Sequence, residues 1–575
     1  VIGKVFWLGA LSATEQQLHA LAQKEFVQRA RRSSVEGETE FAFKHLLVRD
    51  VAYAQIPRAD RAQKHVRTAE WIESFGRPED HAEMVAHHYL NALELARAAG
   101  QDVGELEART RAALRDAGDR AAALQALDQA ERYYGEALAL SAGDDPEHLE
   151  LMFRRGQVSF RRTAEASEDL LDACEGFRAA GDRERAAEAA LLLAEAAWYG
   201  GQRDRVVEHL DAARSLVAGT PPSRVQAKVL VEVSHYEMLA DRNESAIEIG
   251  REGLRMAEEL GLDVLRANAL NNIGAARVHS GDPGGTDDVE ESVVVAEQSK
   301  DIPELIRAYN NLGVMHLVLG RAKEAETGIL EAHRIALHYG HLGNARWSAG
   351  GPVLAIRFQR GEWEELLAGA DEFLADETPS YQASSAYAWR GLVRVAFGDL
   401  EGAQSDAEQS LELARLAKDP QVVLTVFGMA AVTFLSAGNE PRAGETLDEI
   451  LAEVRQLPQI GFGAVQAHGW AWVAWVLGRG EEVVDALENE PLQTPWLDAA
   501  RAIAVGNFRQ AADLLAGIGR PAFEMFYRLR AADQLVAEGR RAEADEQLRP
   551  ALAFYRGVGA ARYVREGEAL LAVSA

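Results

Sequence analysis

The sequence predicts an all-α protein: a right-handed superhelical solenoid of about twelve helix pairs over residues 105–575, behind a shorter segment of different character. Three observations carry that prediction. At 575 residues the chain is longer than one hydrophobic core supports, so it is either several domains or one repeating array. Aromatic residues are 7% and prolines number only 16, while alanine, leucine, glutamate and arginine dominate, which favours long helices and leaves little for strands. Finally, one frame passes through Gly118, Gly156, Ala194, Ser234, Gly274, Gly313, Leu354, Gly391, Ala431, Ala471, Ala499 and Ala532, and all but its last two intervals run from 37 to 41 residues.

Residues 1–60 do not follow that frame. The opening Val1 to Trp7 reads as the middle of a helix, and it lacks both methionine and a signal-peptide layout, so the chain is expected to be part of something longer. Leu11 to Phe26 reads as helix, Val27 to Arg32 and Glu40 to Phe43 as strands about a turn at Ser33 to Thr39, and helix resumes at His45. Helix followed by a small hairpin suggests a winged helix over 1–60, and 61–104 read as connecting helices.

The array is clearest from Ala308 to Ala325, where Tyr309, Leu312, Gly313, Gly320 and Ala325, with Ala332 just beyond, fall at the packing positions of tetratricopeptide repeats, which this stretch resembles. Asn271, Gly274 and Gly281 repeat the pattern one unit earlier. Two helices approach closely only where side chains are small, so glycine or alanine in mid-helix marks the contact. A second glycine before a polar residue, as in Gly281-Asp, Gly398-Asp and Gly506-Asn, is expected to end the first helix in a left-handed conformation. Arg562 to Val573 would cap the last pair.

Charge and cysteine content narrow the function. The net charge is −29, with +3 through residue 70 and −32 beyond it, so the array repels phosphate backbones and nucleic acid is not its expected partner. The single cysteine, Cys174, excludes an internal disulfide and a cysteine zinc cluster and suits a reducing, cytoplasmic setting. Its plain reading is a small buried apolar residue. No apolar run is long enough to cross a bilayer.

Phe41-Ala-Phe-Lys-His-Leu-Leu-Val-Arg-Asp-Val-Ala-Tyr resembles the segment that closes the ATPase module in bacterial AAA/STAND-type regulators with tetratricopeptide tails, and Glu83-Met-Val-Ala-His-His-Tyr resembles the join to the tail. The stretch from Phe554-Tyr-Arg to Tyr563-Val-Arg-Glu-Gly-Glu is similar to the C-terminus of those members that begin with a class III adenylate or guanylate cyclase domain. The resemblance implies a sensor arm controlling an upstream nucleotide-handling module in cis. It implies no catalysis by this chain, since no G-x-x-x-x-G-K-[ST] phosphate loop occurs, the one Gly-Lys being Gly3-Lys4. No cofactor or metal is expected. The alternative is the effector-binding arm of a MalT/LuxR-like STAND transcription regulator, whose helix-turn-helix is not found here.

The candidate partner-binding residues lie on first helices. Transferring the repeat frame places Asn271, Arg307 and Asn310 toward the concave groove, with Asn272 and Asn311 one position on. Asparagine can bond a peptide backbone or carboxylate and Arg307 adds a charge-assisted contact, so the expected partner is a protein, a peptide or a small-molecule inducer. The asparagines can equally bond neighbouring helices. His81, His87 and His88 lack zincin spacing and read as packing at the join. Lys24, Arg29, Arg31 and Arg32 form the basic cluster and fit intramolecular docking, and Trp470, Trp472 and Trp475 fit packing between repeats.

Overall fold

The computed structural model describes residues 5–8, 15–33, 38–74, 78–143, 145–163, 165–376, 382–417, 419–457 and 459–573. It forms two compact units, residues 1–162 with 167–177, and residues 163–166 with 178–575.

The first unit opens with a three-stranded antiparallel sheet, β1 (Val5–Trp7), β2 (Val27–Arg29) and β3 (Glu40–Phe43), in the order β1-β3-β2. The expectation of helix at the start is thereby corrected. Val5, Phe6 and Trp7 pair with Ala42, Phe41 and Glu40, an edge position that suits β-branched and aromatic residues. Leu18, from the helix Glu15–Gln23, closes a small core over Phe6, Val27, Phe41 and Phe43. Residues 9–14 and 34–37, which cover parts of the expected helix and turn, lie outside the described residues. Helices Arg58–Glu73 and Ala82–Ala98 pack as a pair of their own, burying Ala69, Ile72, Ala86 and Tyr89.

From Gly104 onward twelve helix pairs follow among the described residues, and the helix Ala561–Val573 covers the last. All twelve frame residues are buried. Their smallness has the expected cause. A methyl group on Gly274 would lie 2.4 Å from the Gly285 carbonyl oxygen, and one on Gly118 would lie 2.5 Å from the Tyr134 ring. The turn glycines take the left-handed conformation, with φ of 96° at Gly281, 95° at Gly398 and 78° at Gly506. The next residue then caps the following helix, as when Asn507 accepts a hydrogen bond from the Gln510 amide. The frame is weakest at Leu354 because Pro352 follows Gly351 and splits that first helix into Leu342–Gly350 and Pro352–Arg360. It shortens near Ala499 because Gly480–Ala486 and Pro495–Ala504 have only 7 and 10 residues.

Within the second unit the array coils until its later pairs rest on its earlier ones. Residues of 302–318 pack on 461–466, those of 352–360 on 521–537, and those of 383–397 on 561–573. The Trp496 indole donates to the Leu317 carbonyl oxygen at 2.7 Å, and Gln359 accepts from the Ala522 amide at 3.2 Å. Pro491 lies against Gly281 and Pro495 against Gly320, so the left-handed glycines also let the overlying layer approach. One hydrophobic core therefore runs from Met238 to Tyr563.

Candidate functional site

A row of polar side chains crosses the first helices of four successive pairs: Glu195 in Arg183–Tyr199, Glu232 in Arg224–Leu239, Asn268 in Asp263–His279, and Glu304 with Arg307 in Ile302–Val318. Asn268 is its hub. The Asn268 amide nitrogen donates to Glu232 and to Glu304, each at 3.2 Å, while its oxygen accepts from Arg307 at 3.0 Å and from Asn272 at 3.0 Å. Arg307 also lies 3.7 Å from the Glu304 carboxylate. Neighbouring helices thus share one network instead of independent pairs.

The electrostatics follow from three carboxylates sharing one guanidinium in a protein-lined recess. Burial pushes Glu304 up to about 7 against the pull of Arg307. Burial also opposes ionisation of Glu232, but Arg307, His235, Lys228 and the Asn268 hydrogen bond outweigh it and hold that carboxyl below its ordinary value. Desolvation, with Arg307 next, lowers His235 to about 4, so its ring is neutral at physiological pH. Arg307 is raised: burial works against its charge, and Glu304, Glu232 and Glu195 more than compensate. Burial chiefly, with Glu195 adding to it, likewise raises the Tyr199 and Tyr236 phenols and keeps them protonated donors.

The five residues expected to line the groove divide. Arg307, Asn310 and Asn311 are half-buried and reach solvent. Asn271 and Asn272 are fully buried. Asn272 donates to the Val231 carbonyl at 3.0 Å and bonds Asn268, a helix-to-helix role, and neither polar atom of the Asn271 side chain has a hydrogen-bond partner. Sequence reasoning missed Glu195, Glu232, Asn268 and Glu304, although their spacing of 37, 36 and 36 residues was available. Against the frame they stand one residue after Ala194, two before Ser234, six before Gly274 and nine before Gly313. The inner strip therefore moves about one helical turn per pair, and a fixed frame cannot follow it.

Tyr53, His65 and His88 form a hydrogen-bonded chain with both links at 3.0 Å, and burial lowers the two histidines to about 4 and 3, so both are neutral. His87 packs against Asn91. No group of three or more histidine, cysteine or acidic residues able to hold a metal occurs among the described residues. Trp470 and Trp472 are buried, the latter edge-on to Phe526, and Trp475 meets Phe508. Cys174 is buried, and Lys24, Arg29, Arg31 and Arg32 are exposed. No described helix is long and apolar enough to cross a membrane.

No protein-family model matches the chain, and no curated protein matches it. Among solved structures it is similar to a signal-transduction ATPase with numerous domains (STAND) that carries a tetratricopeptide repeat sensor, from Pyrococcus horikoshii. That likeness has 14% identity and a TM-score of 0.35 over 76% of this chain, which spans 58% of that protein's length. It is also similar to a Rap protein complexed with competence and sporulation factor, at 12% identity and a TM-score of 0.38, over 69% of this chain and 99% of that one.

Proposed function

We propose that this chain is a non-catalytic sensor and regulatory arm. It binds a protein, peptide or small ligand and controls an upstream nucleotide-handling module in cis, an ATPase of the kind joined to an adenylate or guanylate cyclase domain, in the cytoplasm. In this reading residues 1–60 are the winged-helix end of the ATPase module, 61–104 connect, and 105–575 sense. The β1-β3-β2 order, with a helix between β1 and β2, supports the winged-helix assignment.

The observation that carries the proposal is the polar strip. Three carboxylates held around one arginine on alanine-packed helices are a poor way to stabilise an array, since desolvating such charges costs about as much as their attraction returns. They are a good way to recognise a chain of backbone amides and charges. Arg307 is its half-buried member that reaches solvent, and Asn310 and Asn311 follow it, also half-buried, on the same helix.

The test is the variant Arg307→Gln with Asn310→Ala and Asn311→Ala in the full-length protein. Circular dichroism should be unchanged, because glutamine keeps a donor for Asn268. Affinity for the upstream module or its effector, read by calorimetric titration, should fall by about 1–3 kcal/mol, and regulation of nucleotide turnover should fall with it. Unaltered binding and regulation would place the recognition surface elsewhere.

A further inference from the structure

Where the later pairs of the second unit rest on the earlier ones, they line a partly open cavity of about 150 Å³. Its walls include the indoles of Trp347, Trp389 and Trp496 and the ring of Phe523, and its polar side includes Gln359 and Arg520. The aromatic walls are fixed. Trp496 is held by its bond to Leu317, and Phe523 stacks on Trp389 with centroids 6.5 Å apart.

Arg520 is the anomaly. It is 7% exposed, its Nε has no hydrogen-bond partner, and no carboxylate among the described residues forms an ion pair with it. The acidic group that acts on it is Glu326, which is already paired with Arg360. Its guanidinium carbon sits 5.8 Å from the Trp496 ring centroid. It immediately precedes the helix Pro521–Ala537, whose positive end adds to its own charge. Burial lowers it only to about 10, so it remains a cation at neutral pH. In a chain of net charge −29, a buried arginine with no carboxylate partner beside an aromatic cavity calls for an anion from outside.

We propose that this cavity binds a small aromatic monocarboxylate, its ring among Trp347, Trp389, Trp496 and Phe523 and its carboxylate on the Arg520 guanidinium. The volume selects the size, since a cavity of roughly 150 Å³ accommodates a single benzene ring. The arginine selects the charge, and its planar fork matches a carboxylate. A ligand here would join both layers of the coil, because Trp347 and Trp389 belong to the earlier pairs and Trp496, Arg520 and Phe523 to the later ones. The site is separate from the polar strip and does not depend on the function proposed above.

Titrating the 575-residue chain with benzoate and phenylacetate tests this, read by calorimetry, tryptophan fluorescence and melting temperature. Saturable one-site binding with a rise in melting temperature is expected. Arg520→Met keeps the aliphatic stem and removes the charge. It should weaken benzoate at least about tenfold, the scale of one charge-assisted contact, and leave the affinity for neutral benzamide nearly unchanged. Ala355→Phe, which fills the cavity and keeps the Arg520 side chain unsubstituted, should abolish both, and it carries the test if the methionine variant does not fold. No saturable response to either acid, benzoate binding indifferent to both variants, or equal stabilisation by acetate or chloride would each overturn the proposal.

Discussion

Asp241 shows how one side chain can tie stability to pH. It occupies the turn position that glycine holds in neighbouring pairs, with φ of 53° against 68° at Gly201 and 96° at Gly281, and it is 1% exposed. The overlying layer brings Asp419, Glu490 and the backbone of Gly461 toward it, and Arg203 is the opposing charge. His279 lies 3.8 Å away and is itself lowered to about 4 by burial. Burial first, and Asp419 second, push Asp241 up to about 8. Between pH 4 and 8 the folded protein keeps a proton on Asp241 that the unfolded chain has released. That contribution is therefore whole below pH 4 and is lost as pH rises to 8, at up to about 1.4 kcal/mol per pH unit. His279 acts oppositely, losing its contribution as pH falls from 6.5 toward 4. Asp241→Asn tolerates the left-handed turn and cannot ionise, so it should melt close to wild type at pH 5 and distinctly higher at pH 8.5. Parallel melting curves across that range would show that Asp241 is ionised in the fold.

At the scale of the helix pair, the spacing of backbones decides whether a glycine can be replaced. A methyl group at Gly313 would meet the Ala325 carbonyl oxygen at 2.8 Å and the Ile329 amide nitrogen at 2.9 Å, both backbone atoms that cannot swing aside. At Gly391 the nearest atom, the Ala403 oxygen, is 3.4 Å away. Alanine is favoured over glycine within a helix by about 1 kcal/mol, so the two substitutions should have opposite signs. Gly391→Ala should leave the melting temperature unchanged or raise it. Gly313→Ala should lower it, and Gly313→Leu should cost roughly 1–3 kcal/mol or more through overpacking. Faster hydrogen exchange in the Gly313→Leu variant should centre on residues 302–338. Equal effects of alanine at both positions would mean that the pair at Gly313 can separate freely.

For the second unit as a whole, contact between layers replaces the nearest-neighbour behaviour of an open array. Trp496 is fully buried, and its indole bonds a carbonyl 179 residues earlier in the chain. Trp496→Ala removes a large ring from the core and leaves the Leu317 oxygen without that donor, which should cost about 3–5 kcal/mol. The distribution of the damage is the sharper test. Hydrogen exchange should accelerate in Ile302–Val318 as well as in Pro495–Ala504, helices far apart in sequence that share this contact. Acceleration confined to Pro495–Ala504 and its chain neighbours would show an open solenoid in solution.

The sequence by itself determined the helix pairs, their close-contact residues and their turns, because each depends on residues within about forty positions. Gly274 has to be small beside Gly285, and Gly281 has to be left-handed before Asp282, whatever lies elsewhere. The strand Val5–Trp7 was not legible, since three apolar residues become a strand only by pairing with Phe41 and its neighbours. Of the polar network only Arg307 was legible from the frame, whereas Asn268 and its glutamates follow a line that climbs a helical turn per pair. How fast that line climbs is set by the coiling of the array, and the coiling is the sum of many small rotations between pairs. The same coiling buries Asp241, stations Arg520 beside three tryptophans and seats Trp496 on Leu317. Those contacts join residues up to about two hundred positions apart, and only the tertiary structure could decide them.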